Sequence, residues 1–443
     1  MCVDRMPCLT EVFFTVHAVR VHGGRVERLV NRSSPLGRYV LALLAGIVGA
    51  SVSLPAQLPA RPVPYESILS GPDSLLRHLS SRLQRVASGQ PVHVVQIGDS
   101  HSANGFFASE LASRFAVDGR ISPSYFAPFH RGLQMGRMEF SPGWQKSTWL
   151  QPVDSGSHGP SGTVAITRSP GALLQLRLTE AVPEGSRLTL WWTAPEGTRA
   201  AVGIDSATPI PLHADSVDER TGMSRQTISL PHGAQAFSLT DIEVVGDGGF
   251  RFLGASVDRH DAVMTYDVLG LSGSTQVHPL LRQRGAMTQF LAARVPDVLL
   301  VWYGTNSVVQ PVIDRARFTR DYSALIDTLR AAAPAASIVL FGPPDFARPR
   351  RSCRRTDPCR RRKSRQCGPV SNPNVPIVRD LIRTIAVSRG LAFFDVYRLQ
   401  GEAGGMVRGY CADPSTVNRD LVHLNETGYR ELAKAFRSEL IRW

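Results

Sequence analysis

Ser100 is the residue of this sequence best placed to act as a nucleophile. It follows the apolar run 92–97, which predicts a short strand, and it precedes a helical pattern over 104–115. Open α/β folds bind their ligands at such strand ends, and a helix N-terminus at that point favours an anion. Ser100 in the turn Gly98-Asp99-Ser100 therefore predicts acyl-transfer chemistry, and the alternative is a capped turn with no chemical role.

A serine nucleophile needs a base, and the base needs a group that orients it. Asp420 and His423 supply both ahead of the last predicted helix. A carboxylate three residues before a histidine can hold the imidazole Nδ1–H and leave Nε2 facing the hydroxyl. With Ser100 they predict a catalytic set for two-step ester hydrolysis, and the alternative is that Asp420 and His423 decorate an exposed turn.

Acyl transfer also requires hydrogen-bond donors for the oxyanion that develops on the carbonyl oxygen. Asn306 follows the buried strand predicted over 297–303, and Gly273 lies in the Gly-rich turn 270–274 after another predicted strand. Gly273 can present its N–H with no Cβ in the way. We expect the oxyanion hole to consist of the N–H groups of Ser100 and Gly273 and the side-chain amide of Asn306. An ordinary turn is the alternative for the last two residues.

The elements that must position these residues alternate between apolar strands and amphipathic helices. Strands are predicted over 92–97, 263–268, 297–303, 337–341 and 391–394, and helices over 73–87 (with Asp73 as N-cap), 104–115, 318–332, 375–388 and 426–440. Such alternation predicts an α/β fold, in which helices cover both faces of a parallel sheet.

A different pattern occupies about residues 141–258. Short runs with a period of two residues, at 173–178, 187–192, 238–245 and 250–257, are separated there by Gly, Pro and Asp. This pattern predicts an antiparallel β-sandwich inserted into the α/β fold. The expected domains are a first α/β part over 60–140, the insert over 141–258 and a second α/β part over 259–443.

These positions resemble the SGNH (GDSL) hydrolase superfamily, which is named for a Ser, a Gly, an Asn and a His in four sequence blocks. The matching residues are Ser100 in IGDSH, Gly273 in GLSGST, Asn306 in YGTN and His423 in DLVHLNETGY, the last with Asp420. The resemblance covers residues 92–443, and the one departure is GTNS in place of the commoner G-x-N-D. It implies a three-layer sandwich around a parallel sheet and a serine esterase that needs no metal or organic cofactor.

Several further features are similar to periplasmic peptidoglycan O-acetylesterases. They are His101 directly after the GDS turn, the predicted β insert, the expected export and the PPD turn at 343–345. The resemblance implies a jelly-roll insert like a carbohydrate-binding module beside the active site, with O-acetylated peptidoglycan or another glycan as the partner. We expect His101 to be structural, with a role in shaping the site as the alternative.

Two other functions stay open. One is a general SGNH esterase, lipase or O-acyltransferase acting on another carbohydrate or lipid ester, and the other is a carbohydrate-binding protein without catalysis. Tryptophan side chains at 144, 149, 191 and 192 are candidates for stacking on sugars, although tryptophan is more often a core residue.

The apolar run 39–52 follows Arg28, Arg32 and Arg38 and predicts a secretory signal. Its length falls short of the ~20 apolar residues that a membrane-spanning helix needs, so an uncleaved anchor is the less favoured alternative. We expect a leader over 1–56 and a periplasmic or secreted protein, with anchoring to the inner membrane by 39–52 as the alternative.

Composition and charge exclude several classes of protein and limit the partners that this protein can bind. Hydrophobic residues make up 43% and charged residues 20% of the chain, which excludes collagen-like, disordered and multi-span membrane proteins. Ten Lys or Arg residues against one Asp in the loop 346–367 supply most of the formal charge of +13, so the nearly neutral remainder excludes a general nucleic-acid surface. The loop predicts either a solvated insertion or attraction to an anionic cell-envelope polymer.

Four cysteines follow the leader, at Cys353, Cys359, Cys367 and Cys411. An even number in an exported chain favours two disulfides, with three possible pairings. The alternative is a four-thiolate zinc site, although the sequence has no C-x-x-C pair and no nearby histidine to support one.

Overall fold

The computed structural model describes residues 67–443, except for 117, 131, 134, 246–248, 282–283, 349–358 and 360–368. The predicted leader 1–56 and its apolar run 39–52 lie outside the described residues, as does most of the loop 346–367. Within the described ranges, no helix combines the length and the apolar character needed to cross a membrane.

A six-stranded sheet forms the centre of the α/β body. Its strands in spatial order are β1 (Leu69–Ser70), β20 (Ala392–Phe394), β17 (Ser337–Phe341), β16 (Val298–Trp302), β2 (Val92–Gly98) and β15 (Met264–Gly270). Every neighbouring pair is parallel except β1 with β20. The strands are apolar and buried almost throughout, because helices cover both faces of the sheet. The predicted α/β fold class is confirmed.

The longer helices lie on the two faces of this sheet. One face packs against α1 (Asp73–Gln84), α3 (Phe106–Phe115) and α10 (Glu426–Leu440), and the other against α5 (Arg284–Arg294), α6 (Arg315–Ala332) and α7 (Asn374–Ser388). Shorter elements are α2 (Ser100–Ala103), α4 (His278–Leu281), α8 (Val396–Leu399), α9 (Gly405–Tyr410) and the paired strands β18 (Ala347–Arg348) and β19 (Val370–Ser371).

The start of α1 differs from the prediction. Pro72, not Asp73, occupies the N-cap position, and no side chain caps the helix. The carbonyl of Pro72 already accepts the N–H of Leu76 at 3.0 Å, so Asp73 lies within the first helical turn. Its carboxylate still stands at the helix N-terminus, where a negative charge is favourable.

The chain between α3 and β15 forms two antiparallel sheets. The first has the order β10 (Ile210–Pro211), β9 (Arg199–Ile204), β13 (Ala236–Glu243), β7 (Leu174–Leu178) and β4 (Gly136–Phe140). The second has the order β11 (Ser216–Val217), β12 (Ser224–Ser229), β8 (Arg187–Thr193), β14 (Phe250–Asp258), β6 (Thr163–Thr167) and β5 (Trp144–Thr148), with β3 (Ser124–Phe126) also paired to β14.

One hydrophobic cluster joins the facing sides of these two sheets, including Leu176 and Phe237 from the first and Leu188 and Phe252 from the second. The arrangement is compatible with the predicted β-sandwich. Antiparallel pairing begins at Ser124, ahead of the predicted boundary at 141, because β3 and β4 join these sheets. The alternating, partly exposed side chains of β4 give only a weak strand signal in the sequence.

The opposite face of the second sheet packs on the α/β body. Trp191 and Tyr125 contact Phe290 of α5, with ring centroids 5.2 Å and 4.9 Å apart. Trp192 points the other way, into the cluster between the two antiparallel sheets. Since Trp191 is only 1% and Trp192 only 6% exposed, neither can stack on a sugar, and that candidate role is wrong for both.

A disulfide joins Cys359 to Cys411, with the Cα atoms 5.3 Å apart. Cys411 ends α9, so the bond connects that helix to the Arg-rich loop. Because both sulfurs are used, neither cysteine can be a zinc ligand. Cys353 and Cys367 lie outside the described residues, and their pairing stays a prediction.

Candidate active site

Three strand ends at one edge of the parallel sheet carry predicted site residues. Gly98 of β2 is in register with Gly270 of β15 and with Trp302 of β16, so the three strands end at the same level. The turns that follow carry Ser100, Gly273 and Asn306. The topology thus brings together three sequence blocks that are far apart along the chain.

Ser100 is the first residue of α2 and is partly buried. Asp99 caps this short helix, because its Oδ1 accepts the N–H of His101 at 3.0 Å. The N–H of Asp99 donates to the carbonyl of Trp302 at 3.1 Å and ties the helix start to β16. A Cβ at Gly98 would collide with the same carbonyl, so this approach of turn and strand requires glycine.

His423 lies beside Ser100 and is held by Asp420. Its Nε2 is 2.9 Å from the Ser100 hydroxyl oxygen, and its Nδ1 is 2.7 Å from Asp420 Oδ2. The other oxygen of Asp420 accepts the N–H groups of Val422 and His423, at 2.9 Å and 3.0 Å. With its proton on Nδ1, the imidazole donates to Asp420 and can accept the serine proton at Nε2. The structure therefore brings all three predicted catalytic residues together.

Asp420 is suited to orient and stabilise a histidine that becomes charged. Partial burial raises the pKa of its carboxyl, but the hydrogen bonds from His423 and Val422 outweigh this effect and bring the pKa below the usual value. Asp420 therefore stays ionised at neutral pH. Its side chain is 48% exposed, so water also reaches this end of the site.

The turn after β15 and the side chain of Asn306 form one hydrogen-bonded unit. The carbonyl of Gly98 accepts the N–H of Leu271 at 3.0 Å and the hydroxyl of Ser274 at 3.2 Å. Asn306 Nδ2 donates to the carbonyl of Ser274 at 2.8 Å, which fixes the amide and leaves it a second N–H for a ligand. Gly273 in this turn has φ +84°, a conformation that L side chains rarely adopt.

His101 lies behind the predicted base. Its ring is fully buried, stacks on Trp302 with a centroid distance of 5.3 Å, and is also 5.3 Å from the His423 ring. Its Nδ1 lies 2.9 Å from the Tyr429 hydroxyl. Burial, together with the nearby His423, lowers the pKa of His101 to about 3, so the ring is neutral. His101 is therefore a buried, packed residue, as expected, and its position beside His423 leaves a site-shaping role as a prediction.

Asp99 is a second buried titratable group beside the predicted nucleophile. It has no solvent-exposed surface, and burial raises the pKa of its carboxyl to about 7, even though the N–H of His101 opposes the rise. This carboxyl group therefore keeps its proton to a higher pH than an exposed aspartate does. The sequence pattern Gly-Asp-Ser gave no sign of this property.

The turn after β5, in the antiparallel sheets, contacts the turn that carries Gly273. The sequence did not predict this contact. Leu150, after β5, places a methyl carbon 3.0 Å from where a Cβ on Gly273 would lie. Trp149 stacks on His278 with a centroid distance of 3.8 Å. At 7% exposure Trp149 is a core residue with little surface left for a sugar.

A cleft of about 310 Å³ is lined by residues that follow two of the predicted site residues along the chain. Its lining includes Thr275, two residues beyond Gly273, and Ser307, directly after Asn306. Gln310 and Arg317 add further hydrogen-bonding groups. Within the described part of the chain, no group of three or more His, Cys, Asp or Glu side chains is arranged to hold a metal ion.

Part of the chain matches a known family. Residues 236–431 match the GDSL-like lipase/acylhydrolase family. The matched segment contains Gly273, Asn306, Asp420 and His423 and begins at the start of β13, so it does not include Ser100. No curated protein matches the chain.

Solved structures give a broader likeness. A peptidoglycan O-acetylesterase is similar over 85% of this chain and 99% of its own, with a TM-score of 0.65 and 19% identity, which establishes a common fold. Weaker similarity, with a TM-score of 0.30 and 12% identity, extends to a family two carbohydrate esterase from Clostridium thermocellum, over 69% of this chain and 98% of that one. A GDSL-like lipase from Bacteroides thetaiotaomicron has a TM-score of 0.26 and 14% identity, over 40% and 76%.

Proposed function

We propose that this chain is a carboxylic ester hydrolase of the SGNH type, and that it removes O-acetyl groups from a cell-wall glycan, specifically from peptidoglycan, outside the cytoplasm. The observation that carries the proposal is the contact of His423 Nε2 with Ser100 Oγ at 2.9 Å, with Asp420 on the other ring nitrogen. The likeness to a peptidoglycan O-acetylesterase over most of both chains supports the choice of substrate. The apolar run 39–52 supports export.

In the first step Ser100 attacks the acetyl carbonyl carbon. His423 takes the hydroxyl proton as the Oγ–C bond forms, and the carbonyl electrons move onto oxygen. The N–H groups of Ser100 and Gly273 and the amide of Asn306 donate to this oxyanion, and each such donor contributes about 3 kcal/mol where it has been measured. The intermediate then expels the sugar oxygen, which takes the proton from His423, and acetyl-serine remains.

In the second step water replaces the sugar. His423 takes a proton from the water as its oxygen attacks the acetyl-serine carbonyl, and the same three donors hold the second oxyanion. When the C–Oγ bond breaks, the proton passes from His423 to Ser100 and acetate leaves. Asp420 keeps the imidazole in the tautomer that both steps require.

The test compares acetate release from O-acetylated peptidoglycan with hydrolysis of a soluble aryl acetate. We expect the parent protein to act on both, and Ser100→Ala to lose at least about 10³-fold in kcat on both. The control is Ser113→Ala, since Ser113 is an exposed serine on α3, where its hydroxyl bonds only its own helix. Activity on the aryl ester alone would leave the mechanism standing and refute the peptidoglycan assignment. Equal rates in parent and Ser100→Ala would remove Ser100 from the chemistry.

A lipase or O-acyltransferase is the second candidate, because the matched family is described as lipases and acylhydrolases and an O-acyltransferase would use the same acetyl-serine intermediate. It predicts a preference for long acyl chains, or transfer of acetyl to a sugar acceptor faster than to water. A series of acyl lengths and a competition between sugar and water therefore separate it from the acetylesterase.

The Arg-rich loop 346–367 adds a second proposed partner, an anionic cell-envelope polymer. Ten cationic side chains against one Asp attract such a polymer strongly at low salt. Binding to a polyanion should therefore weaken steeply between low and physiological salt. Salt-independent binding would contradict an electrostatic role for the loop.

A further inference from the structure

The turn that follows β5 is built to present one side chain. The N–H of Gln151 donates to the carbonyl of Thr148 at 3.0 Å, so Trp149 and Leu150 occupy the corner of the turn. The N–H of Trp149 also donates to the carbonyl of Gly162 at 3.1 Å, which fixes the turn to the start of β6. Leu150 remains 40% exposed at the tip, whereas Trp149 is buried.

Trp149 docks this turn against the predicted oxyanion loop. Its ring stacks on His278 at 3.8 Å, with an angle of 27° between the planes. Nδ1 of His278 accepts the N–H of Thr275 at 2.9 Å, and Thr275 lies two residues after Gly273. Because the stack joins the antiparallel sheets to the loop that carries Gly273, the position of Leu150 relative to that loop is fixed.

Leu150 therefore borders the place where an ester carbonyl would bind. Its Cδ1 lies 3.0 Å from the position of a Cβ on Gly273, so the leucine covers the α-carbon of the residue whose N–H is proposed to hold the oxyanion. The exposed part of an isobutyl group is an apolar surface, which gains free energy when another apolar group covers it. The methyl group of an acetyl ester is an apolar group of this kind.

From this placement we propose that Leu150 is a specificity-determining residue, which forms the wall of the acyl subsite and limits the acyl group to acetyl. The inference rests on the proposed esterase function and names the feature that sets its acyl-chain preference. In this proposal the wall of the acyl subsite comes from a turn of the antiparallel sheets, whereas the catalytic residues come from the α/β body.

The experiment measures kcat/KM for aryl acetate, butyrate and hexanoate with the full chain. In Leu150→Ala the ratio of butyrate to acetate should rise about tenfold, because the shortened wall leaves room for the longer chain. In Leu150→Phe the ratio should fall by a similar factor. Val217→Ala is the matched control, because Val217 is an exposed apolar residue in β11, at the opposite edge of the same sheet from β5.

Three outcomes decide the proposal. Opposite shifts in the two Leu150 variants, with an unchanged ratio in the control, support it. Unchanged ratios in both variants overturn it. A second series, in which the acyl group stays acetyl and the alcohol varies, provides the other refutation: if Leu150→Ala alters selectivity only in that series, Leu150 borders the leaving group.

Failure of the proposed function is distinguishable from failure of this inference. Loss of aryl-ester activity in Ser100→Ala shows that the measured ratios belong to this site. If the ratios then shift as expected but peptidoglycan releases no acetate, the acyl wall stands and only the glycan assignment fails. If Ser100→Ala keeps the parent rate, the ratios come from elsewhere, and both proposals fall.

Discussion

Replacing Asp99 by asparagine should change how the stability of this protein depends on pH. Asp99 is fully buried, and burial raises the pKa of its carboxyl from 3.8 to about 7. At pH values below the pKa that the Asp99 carboxyl has in the unfolded chain, the carboxyl is protonated in both the unfolded and the folded protein. Folding then buries no charge, and the burial of Asp99 carries no electrostatic cost. As the pH rises toward the folded pKa, the unfolded chain releases its proton first, and the folded state loses stability.

The size of the effect follows from the difference between the two pKa values. At 1.36 kcal/mol for each pK unit, the shift from 3.8 to about 7 corresponds to about 4 kcal/mol, lost progressively between pH 4 and pH 7 and constant above that range. Asparagine does not titrate, yet it retains an oxygen to accept the N–H of His101 at the start of α2. The free energy of unfolding of Asp99→Asn, minus that of the parent, should therefore rise by about 4 kcal/mol across this pH range.

Urea unfolding at pH 4, 5, 6, 7 and 8 measures this difference. The amide alters the local hydrogen bonds at every pH, so a constant difference in the free energy of unfolding between parent and variant says nothing about ionisation. Only a change of this difference with pH reports the ionisation of Asp99. Asp99→Ala serves as the second variant, since it also removes the charge but loses the cap, which costs about 1 kcal/mol more at all pH values. Parallel curves for parent and Asp99→Asn would refute the reasoning that burial dominates at this carboxyl.

Substitutions at three further residues test the site itself. Asn306→Ala should lower kcat on an aryl acetate by about 10²- to 10³-fold with little change in KM, because its amide acts on the oxyanion; a change confined to KM would contradict that role. Asp420→Asn should lower kcat by up to about 10⁴-fold, since the amide favours the wrong tautomer of His423, and parental activity would show that Asp420 is dispensable. His101→Ala should lower kcat about tenfold by removing the ring packed against His423, while His101→Phe keeps a ring and most of the activity. Equal losses in the last pair, measured as kcat at matched thermal stability, would argue against packing as the reason.

The sequence was informative where short-range patterns determine structure. Strands such as Val298–Trp302 are uninterrupted apolar runs, and such runs predict burial on both faces of a parallel sheet. The turns after these strands carry residue types suited to acyl transfer, and parallel strands must end at a common edge. For these reasons Ser100, Asn306 and His423 could be named in advance, and their catalytic roles stay predictions until the variants are assayed.

Features that depend on distant packing could not be predicted in the same way. Leu150 is one exposed leucine in a long antiparallel segment, and only the docking of Trp149 on His278 brings it to Gly273. The neutral state of His101 depends on burial among residues from β16 and α10, far along the chain. Both Trp191 and Trp192 are buried because each face of their sheet is covered, a circumstance that the alternation within one strand does not reveal.

The pairing of β3 with β14 affects how this chain can fold. The parallel neighbours β2 and β15 are separated by about 165 residues, but once β3 and β14 are joined the free path between them shortens to about 35, which lowers the entropy cost of closing the loop by about 1 kcal/mol. The two ends of the segment between β3 and β14 then lie side by side, because these strands are paired. Its length and sequence can vary through evolution without changing the register of β2 with β15, and a replacement segment need only keep the two joined strands.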